Sequence, residues 1–255
     1  MTQVSTPTTT TRRERQREAT FEEIVSVSRA LLAEEGAELS LRAVASRMGM
    51  TAPALYRYVA NYQELVDLVA FEIDKAATAG FARVAERVPE DDPGGRLVLA
   101  TVAFRQWAHA SPREFSLVFA NPVAAGVCVR RELLTAATSG LYFHGLLIEL
   151  WQKYDFPHPE IDELDPSVAA TLDDPIFPVK IEDIPEEHRG LLWVFIRAWA
   201  SLYGVVTLEV FGHMDPRIIE GAAMFKAMVR EWIPRLGMAD DYARLDALMV
   251  EELGF

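Results

Sequence analysis

Apolar residues recur three and four positions apart along most of the 255-residue chain, and this is the spacing of one face of an α-helix. Leu41, Val44, Ala45 and Met48 show the pattern over two helical turns. We find no convincing run of the alternating apolar and polar residues that mark a half-buried strand, and no internal repeat. The sequence therefore predicts an all-α protein.

The composition is that of a protein with a substantial core. Half of the residues are hydrophobic, which is enough for one large domain or two small ones. Cys128 is the single cysteine, so an intramolecular disulfide is excluded, and we expect it to be a small apolar residue in a helix. The N-terminus lacks an apolar signal core, and no uncharged apolar run approaches the ~18 residues of a membrane span. We therefore expect a cytoplasmic protein.

Charge is distributed unevenly along the chain, whose formal net charge is −13. The first 75 residues hold nine Lys and Arg against eleven Asp and Glu, whereas the remainder holds sixteen against twenty-seven. The 22 residues from Ser40 to Asn61 contain Arg42, Arg47 and Arg57 but no Asp or Glu. Because an acidic chain repels nucleic acid in general, any DNA contact requires a local patch, and this acid-free run is the best candidate.

The acid-free run also has the pattern of a helix-turn-helix. Ser40 is a suitable N-cap for a short helix that ends at Gly49, and Thr51 is a suitable N-cap for a second helix with Pro53 in its first turn. Small side chains at the leading end of the second helix allow its backbone to approach a major groove. The pattern alone is a weak signal, because many small helical bundles share it.

Several segments of this region resemble the DNA-binding domain of the tetracycline-repressor (TetR) family. They are SLRAVA at 40–45, MGM at 48–50, PALYRYV at 53–59 and the residues 61–65. The resemblance covers about residues 20–70, and its specific part is the Leu-Tyr pair followed by an aromatic and an apolar residue. It implies an all-α homodimeric regulator, expected to be a repressor that binds a palindromic double-stranded DNA operator. A small-molecule effector in the C-terminal domain would release the DNA, with no cofactor and no metal.

The resemblance assigns DNA contacts residue by residue. The predicted contact residues are Arg42, Thr51, Ala52, Pro53, Ala54, Tyr56, Arg57, Tyr58 and Tyr62. Arg42 matches a position that reaches base edges, where an arginine can pair with guanine. Ala52 lacks the polar group of some relatives, so its readout would be apolar, such as a thymine methyl. Tyr56 and Tyr58 match phosphate-facing positions, and Arg57 could meet base or phosphate.

Tyr62 is a departure from the family pattern. Many members have a lysine at this position, where the fourth helix begins and contacts phosphate. The Tyr62 hydroxyl can donate a hydrogen bond but brings no charge. The substitution predicts a shallower salt dependence of DNA binding.

The pattern along the chain predicts three parts. Residues 1–19 are predicted to be a disordered or basic arm, and Arg12 to Glu18 within it are either a basic arm near a phosphate backbone or a solvated first helical turn. Residues 20–66 form the helix-turn-helix domain, and residues 67–255 form a helical ligand-binding and dimerisation domain. Thr20 and Glu23 have capping-box spacing, so the first helix is expected to begin there. Residues 155–185 form a long connection rich in proline and acidic residues, with room for a short turn of helix. Further helices are predicted from 61 to about 88 and near 94–109, 112–120, 128–154, 186–212, 216–234 and 240–252.

The family resemblance implies that the helices near 186–212 and 216–234 form a four-helix bundle with a second subunit. Gly204 lies inside the first of them, where glycine costs about 1 kcal/mol relative to alanine. Such a glycine needs a packing reason, and the close approach of another helix is one. The alternative is that both helices are core helices of a monomer.

The middle helices of the C-terminal part hold the candidate ligand contacts. They are Phe104, Trp107, Phe119, Phe143, His144, Trp193 and Trp199, each of which could equally be a core residue. Glu149 and Glu209 lie in otherwise apolar helical stretches. If either were buried, it would favour a cationic or hydrogen-bonding ligand.

Two other function classes were weighed. No G-x-S-x-G, phosphate-binding glycine loop, H-E-x-x-H or metal-ligand cluster occurs, and the five histidines are scattered, so no catalytic residue is expected. A helical adaptor that binds another protein rather than DNA is the alternative that the acidic surface permits. Operator binding distinguishes the two.

Overall fold

The computed structural model describes residues 11–34, 38–120, 138–173 and 184–255, so the prediction for Cys128 lies outside the described residues. The chain divides into two compact units, residues 1–72 and 73–255. The described residues form helices and connecting turns, without a strand, as predicted. The first four helices are α1 (Arg12–Ala33), α2 (Leu41–Arg47), α3 (Ala52–Leu55) and α4 (Tyr62–Ala85).

Helix α1 begins at Arg12, and the prediction of a start near Thr20 is wrong. Thr11 and Glu14 form the capping box: the Thr11 hydroxyl accepts from the Glu14 amide at 3.2 Å, and the Glu14 carboxylate accepts from the Thr11 amide at 2.6 Å. Thr20 lies inside the helix, where its hydroxyl donates to the carbonyl of Gln16 at 2.9 Å. The basic sequence that follows Thr11 is therefore helical.

The N-terminal unit has a small apolar core that follows the predicted spacing. Ile24 of α1, Val44 of α2, Leu55 of α3 and Leu65 of α4 are fully buried. Their burial in the core of this unit fixes how the four helices pack. The polar residues between them are left on the outer faces of α2 and α3.

The larger unit contains the remaining helices of the described chain. They are α5 (Pro93–Ala110), α6 (Pro112–Phe119), α7 (Thr138–Tyr154), α8 (Pro166–Asp173), α9 (Leu191–Val210), α10 (Pro216–Glu220), α11 (Ala223–Arg235) and α12 (Tyr242–Leu253). The helix predicted near 216–234 is interrupted between α10 and α11, where buried Ala222 has a φ of +47°. The predicted connection 155–185 contains the two-turn helix α8 and a short 3-10 turn at Ile161–Glu163.

Helix α5 is central to the larger unit, since it packs against α6, α7, α9 and α12. Asp92 caps its N-terminus by accepting from the Gly95 amide at 2.9 Å. The same carboxylate receives both terminal nitrogens of Arg244 in α12, at 2.7 and 3.0 Å. In α11, Arg230 donates to Asp246 of α12 at 2.8 and 3.2 Å. These ion pairs hold the C-terminal helix against the core.

Candidate functional site

Capping, glycine and proline residues of the local sequence determine the turn between α2 and α3. The Ser40 hydroxyl caps α2 by accepting from the Ala43 amide at 3.1 Å. Gly49 then takes a φ of +65°, a left-handed conformation that glycine adopts without a steric penalty. Thr51 begins α3 but makes no capping hydrogen bond, and Pro53 sits in the first turn. The exposed Thr51 hydroxyl is therefore available to an external partner.

Most of the residues predicted to contact DNA are exposed on α2, on α3 and in the turn before α3. Arg42, Thr51, Pro53, Tyr56 and Arg57 are exposed, and Ala52 and Ala54 are partly exposed. The Tyr56 side chain is 51% exposed, which is unusual for so large a ring. Leu55 and Val59 point the other way and are buried in the unit's core. The exposed surface of α2 and α3 therefore contains no carboxylate of the acid-free run, and the buried side chains of Leu55 and Val59 fix α3 to the core of the unit.

The three arginines of the acid-free run differ in their surroundings. Arg47 donates to Glu34, beyond the end of α1, at 2.7 and 2.9 Å. This contact raises the pKa of the Arg47 guanidinium and lowers the pKa of the Glu34 carboxyl. Within the described residues, Arg42 and Arg57 take part in no ion pair, so two arginines per chain present an uncompensated charge. Glu34 lies outside the run, and local sequence therefore did not reveal the pair.

Two tyrosines predicted to contact phosphate have different environments. Tyr58 is half-buried, and its ring meets the ring of Phe21 edge-on with centroids 5.7 Å apart. Tyr62 is the first residue of α4 and is 41% exposed. The Tyr58 ring therefore has a packing role whatever its hydroxyl contacts, whereas Tyr62 is held by no such aromatic contact in the described chain.

An aromatic cluster occupies the middle of the larger unit. It brings together five of the residues predicted to contact ligand: Phe104, Trp107, Phe119, Phe143 and Trp199. Phe104 is fully buried at its centre, with the ring of Phe81, which the sequence prediction omitted, 5.7 Å away. His144 lies outside this cluster and packs on Phe195 at 5.4 Å, and Trp193 is a half-buried residue of α9.

A cavity of about 70 Å³ lies beside this cluster, between α5, α7, α9 and α11. Phe143 and Trp199 are the two residues of the predicted ligand set that line it. The sequence prediction missed Thr101, Leu147, Met228 and Trp232, which also line it. The full set of lining residues comes from four helices far apart in the chain, and periodicity along one helix does not predict which helices will meet.

The two glutamates singled out in the sequence are both paired. Glu149 accepts from Arg96 at 2.6 Å on the surface. Glu209 is buried, and its Oε2 accepts from Arg105 and lies 3.0 Å from Nε2 of His109. In the described part of the chain no donor reaches its other oxygen, Oε1. The sequence hypothesis was that a buried glutamate would favour a cationic or hydrogen-bonding ligand. Because Arg105 pairs with Glu209 and Arg96 pairs with Glu149, neither carboxylate is a lone anion for a cationic ligand.

The described ranges contain no metal-binding group, that is, no cluster of three or more His, Cys, Asp or Glu residues that could hold a metal ion. The helical stretch Glu186–Val210 is long and apolar enough to cross a membrane by length and composition, but Arg197 interrupts it. Only 33% of its most apolar window is buried within the chain.

A helix-turn-helix transcriptional regulator has a short exposed helix after a tight turn, followed by a larger helical unit. In this chain α3 follows the turn at Gly49, and the larger unit comes after it. Residues 24–69 match the family described as "Bacterial regulatory proteins, tetR family", and residues 97–232 match "Tetracyclin repressor-like, C-terminal domain". The chain belongs to the tetracycline-repressor family. It is therefore a transcriptional regulator with a DNA-binding domain and not an enzyme, as the sequence predicted.

Individual relatives agree with this assignment. The chain is 25% identical over 226 residues to the HTH-type transcriptional regulators Rv1816 of Mycobacterium tuberculosis (strain ATCC 25618 / H37Rv) and Mb1846 of Mycobacterium bovis (strain ATCC BAA-935 / AF2122/97). Each match covers 84% of this chain and 91% of the relative. The crystal structure of SCO4313 is similar in fold, with a TM-score of 0.59 and 24% identity. That match covers 88% of this chain and 100% of the other.

Proposed function

We propose that the protein is a cytoplasmic repressor that binds a palindromic operator as a homodimer and releases it when a small molecule binds the larger unit. The observation that carries the proposal is the exposed, carboxylate-free face of α2 and α3, with Arg42 and Arg57 outside any ion pair of the described chain. In a chain of net charge −13, a surface without carboxylates lets DNA phosphate approach without repulsion at contact distance.

Each exposed residue has a contact that its chemistry suits. Arg42 donates two hydrogen bonds to a guanine edge, and the methyl of Ala52 meets a thymine methyl. Arg57 meets a base or a phosphate. The hydroxyls of Tyr56, Tyr58 and Tyr62 donate to phosphate oxygens, which fixes the position of α3 without reading sequence.

The homodimer is supported by the outer faces of α9 and α11. Leu208, Phe211 and Met224 are each more than 40% exposed, although they are large apolar residues. In the described chain nothing lies within 4 Å of the position that a Cβ on Gly204 would occupy. A glycine with open space over it in the described chain, four residues before the exposed Leu208, suits the close approach of a helix from a second copy.

The effector step needs only a modest energy. A coupling free energy of about 1–3 kcal/mol between effector and operator gives a five- to hundredfold change in DNA affinity. In a dimer, two reading heads must match two half-sites about 34 Å apart, so a small change in their spacing weakens binding. Helix α4 belongs to both units by chain connection, and we assign it the transmission of this change.

The test is a gel-shift assay on DNA upstream of the protein's own gene, with light scattering to report the oligomeric state. We expect the dimer to shift a palindromic site at nanomolar concentration. Arg42→Ala should weaken binding by about tenfold or more per half-site, since a bidentate guanine contact contributes ~1–3 kcal/mol. Arg235→Ala, which removes the same charge from the larger unit, is the control. No shift at any salt concentration contradicts the proposal and favours a protein-binding adaptor.

A further inference from the structure

The cavity of the larger unit has an almost wholly apolar wall. Thr101 contributes its one hydroxyl group, and the other lining residues are aliphatic, aromatic or methionine side chains. Among the described residues no charged side chain lines it. A charged group placed there would lose its hydration without gaining a counter-ion, which is strongly unfavourable.

From this wall we infer the chemical class of the effector: an uncharged, predominantly apolar small molecule that binds between α5, α7, α9 and α11. The inference rests on the effector-release function proposed above. The paired state of Glu149 and Glu209 agrees with it, because neither carboxylate faces the cavity as a free anion.

The cavity is too small for a typical ligand, so side chains of its wall must move when a ligand binds. About 70 Å³ is less than the ~150 Å³ of an engineered cavity that binds benzene and far less than the ~300 Å³ of a small ligand pocket. Met228 and Met238 form part of the wall, and both are unbranched side chains that change rotamer readily. The Met238 sulfur rests on Gly94, since an added Cβ there would lie only 2.8 Å from it. These flexible side chains allow the cavity to enlarge around a ligand.

The location of the cavity connects the ligand to the proposed dimer. Ala198 and Trp199 of α9 and Met228 and Trp232 of α11 all line it, and these are the two helices whose outer faces are proposed to meet a second copy. A molecule that enlarges the space between α9 and α11 therefore changes the surface by which the subunits pair. A packing void elsewhere in the core would have no such consequence.

The experiment compares butylbenzene with two ions that share its butylphenyl group, 4-butylbenzoate and 4-butylbenzylammonium. Each competes with the neutral fluorescent probe 1-N-phenylnaphthylamine on the full-length protein without DNA, and tryptophan emission from Trp199 and Trp232 gives a second readout. We expect butylbenzene to bind at least about tenfold more tightly than either ion, as burial of an unpaired charge requires. Equal or tighter binding of either ion overturns the inference.

Two variants locate the site. Ala198→Leu adds three carbons to the cavity wall and should weaken butylbenzene binding by about tenfold or more. Thr101→Val removes only the hydroxyl and should bind butylbenzene within about twofold of wild type. Unchanged binding by Ala198→Leu, or a large loss in Thr101→Val, contradicts an apolar site here. If Ala198→Leu does not fold, as judged by circular dichroism, the charge series on the wild-type protein decides alone.

Failure of this inference is distinguishable from failure of the proposed function. If the wild-type protein binds its operator and a charged molecule releases it while butylbenzene does not bind, the repressor function stands and the effector class is wrong. If butylbenzene binds at the cavity but no operator is bound, the effector class stands and the repressor function is wrong.

Discussion

At the scale of single residues, equal formal charge does not mean equal availability. Arg47 belongs to the same acid-free run as Arg42 and Arg57, yet its guanidinium is engaged by both carboxylate oxygens of Glu34. Such an exposed pair adds little to stability, but it lowers the positive charge that α2 offers to phosphate. The positive charge of the proposed DNA-binding surface therefore comes from Arg42 and Arg57. A cation added at a neighbouring position should change DNA binding measurably.

Tyr62 is the position where this sensitivity is best tested. Because it is 41% exposed at the start of α4, Tyr62→Lys should add one phosphate contact per subunit without disturbing the core. We expect tighter operator binding and a log–log salt dependence steeper by up to about 2 for the dimer, since each neutralised phosphate adds ~0.9. Titrations of operator DNA with the protein at several salt concentrations measure both the affinity and this slope. Tyr62→Phe, which removes the hydroxyl but adds no charge, should leave the slope unchanged. A slope that stays the same in Tyr62→Lys places this residue away from the DNA.

At the scale of elements, α7 receives its N-terminal cap from another helix. Asp74 of α4 is 4% exposed, and its Oδ2 accepts from the Thr138 amide at 2.7 Å, the Thr138 hydroxyl at 2.9 Å and the Ser139 amide at 3.2 Å. Helices begin with amides that lack partners within the helix, and a carboxylate there also complements the helix dipole. One side chain thus ties α7 to α4.

Removal of this cap should destabilise the larger unit. We expect Asp74→Ala to lower the free energy of unfolding by about 2 kcal/mol, because it removes a cap and leaves buried amides without an acceptor. Asp74→Asn retains one acceptor oxygen and should lose less. Urea denaturation followed by circular dichroism gives both values. An Asp74→Ala protein as stable as wild type would show that the α7 amides are satisfied in another way.

The ion pair between Asp92, at the start of α5, and Arg244 of α12 should make the stability of the larger unit depend on pH. Burial raises the pKa of the Asp92 carboxyl, but the hydrogen bonds from Arg244 and the Gly95 amide outweigh it, so the pKa is lowered overall. A carboxyl with a lowered folded-state pKa stabilises the fold above its unfolded-state pKa of about 4, and this stabilisation is lost as pH falls through the folded value.

We therefore expect Asp92→Asn to be less stable than wild type at pH 7, and the difference to shrink as pH is lowered from 5 to 3. Thermal unfolding at a series of pH values measures it. The control is Glu231→Gln, which removes a carboxylate from an exposed pair with Arg235 at 3.7 Å and should change little at any pH. A difference between Asp92→Asn and wild type that is independent of pH would contradict the assignment.

The elements also show what the sequence could and could not predict. Ser40, Gly49 and the spacing of Val44, Leu55 and Val59 determine α2 and α3 through local chemistry, and both helices were predicted from them. The start of α1 was missed because its capping box, Thr11 with Glu14, precedes polar residues without an apolar stripe. The cavity could not be predicted, because Thr101 and Trp232 meet only when four helices pack. Periodicity shows that a residue faces inward but not which residue it faces.

At the scale of the whole molecule, the described chain leaves a long apolar helix incompletely covered. Only 33% of the most apolar window in Glu186–Val210 is buried, and Leu208 and Phe211 stay exposed near its end. Exposed apolar residues of this size on a transcriptional regulator favour the proposed partner, since monomeric proteins seldom expose contiguous apolar area. A second copy provides one with the symmetry that a palindromic operator needs.

Gly204 and Gly145 together give a controlled test of this arrangement. Both lie inside helices, and for both nothing in the described chain comes within 4 Å of the position of an added Cβ. A side chain at either site therefore begins in open space at its Cβ. We expect the folded subunit to tolerate leucine there, with a gain in helix propensity. If α9 of a second copy packs against Gly204, Gly204→Leu should yield a folded monomer by light scattering that no longer shifts operator DNA. Gly145→Leu, in α7, should remain a dimer and bind DNA as wild type does. A Gly204→Leu protein that is still dimeric would place the interface on another surface, because a leucine side chain cannot fit where two helix backbones meet closely.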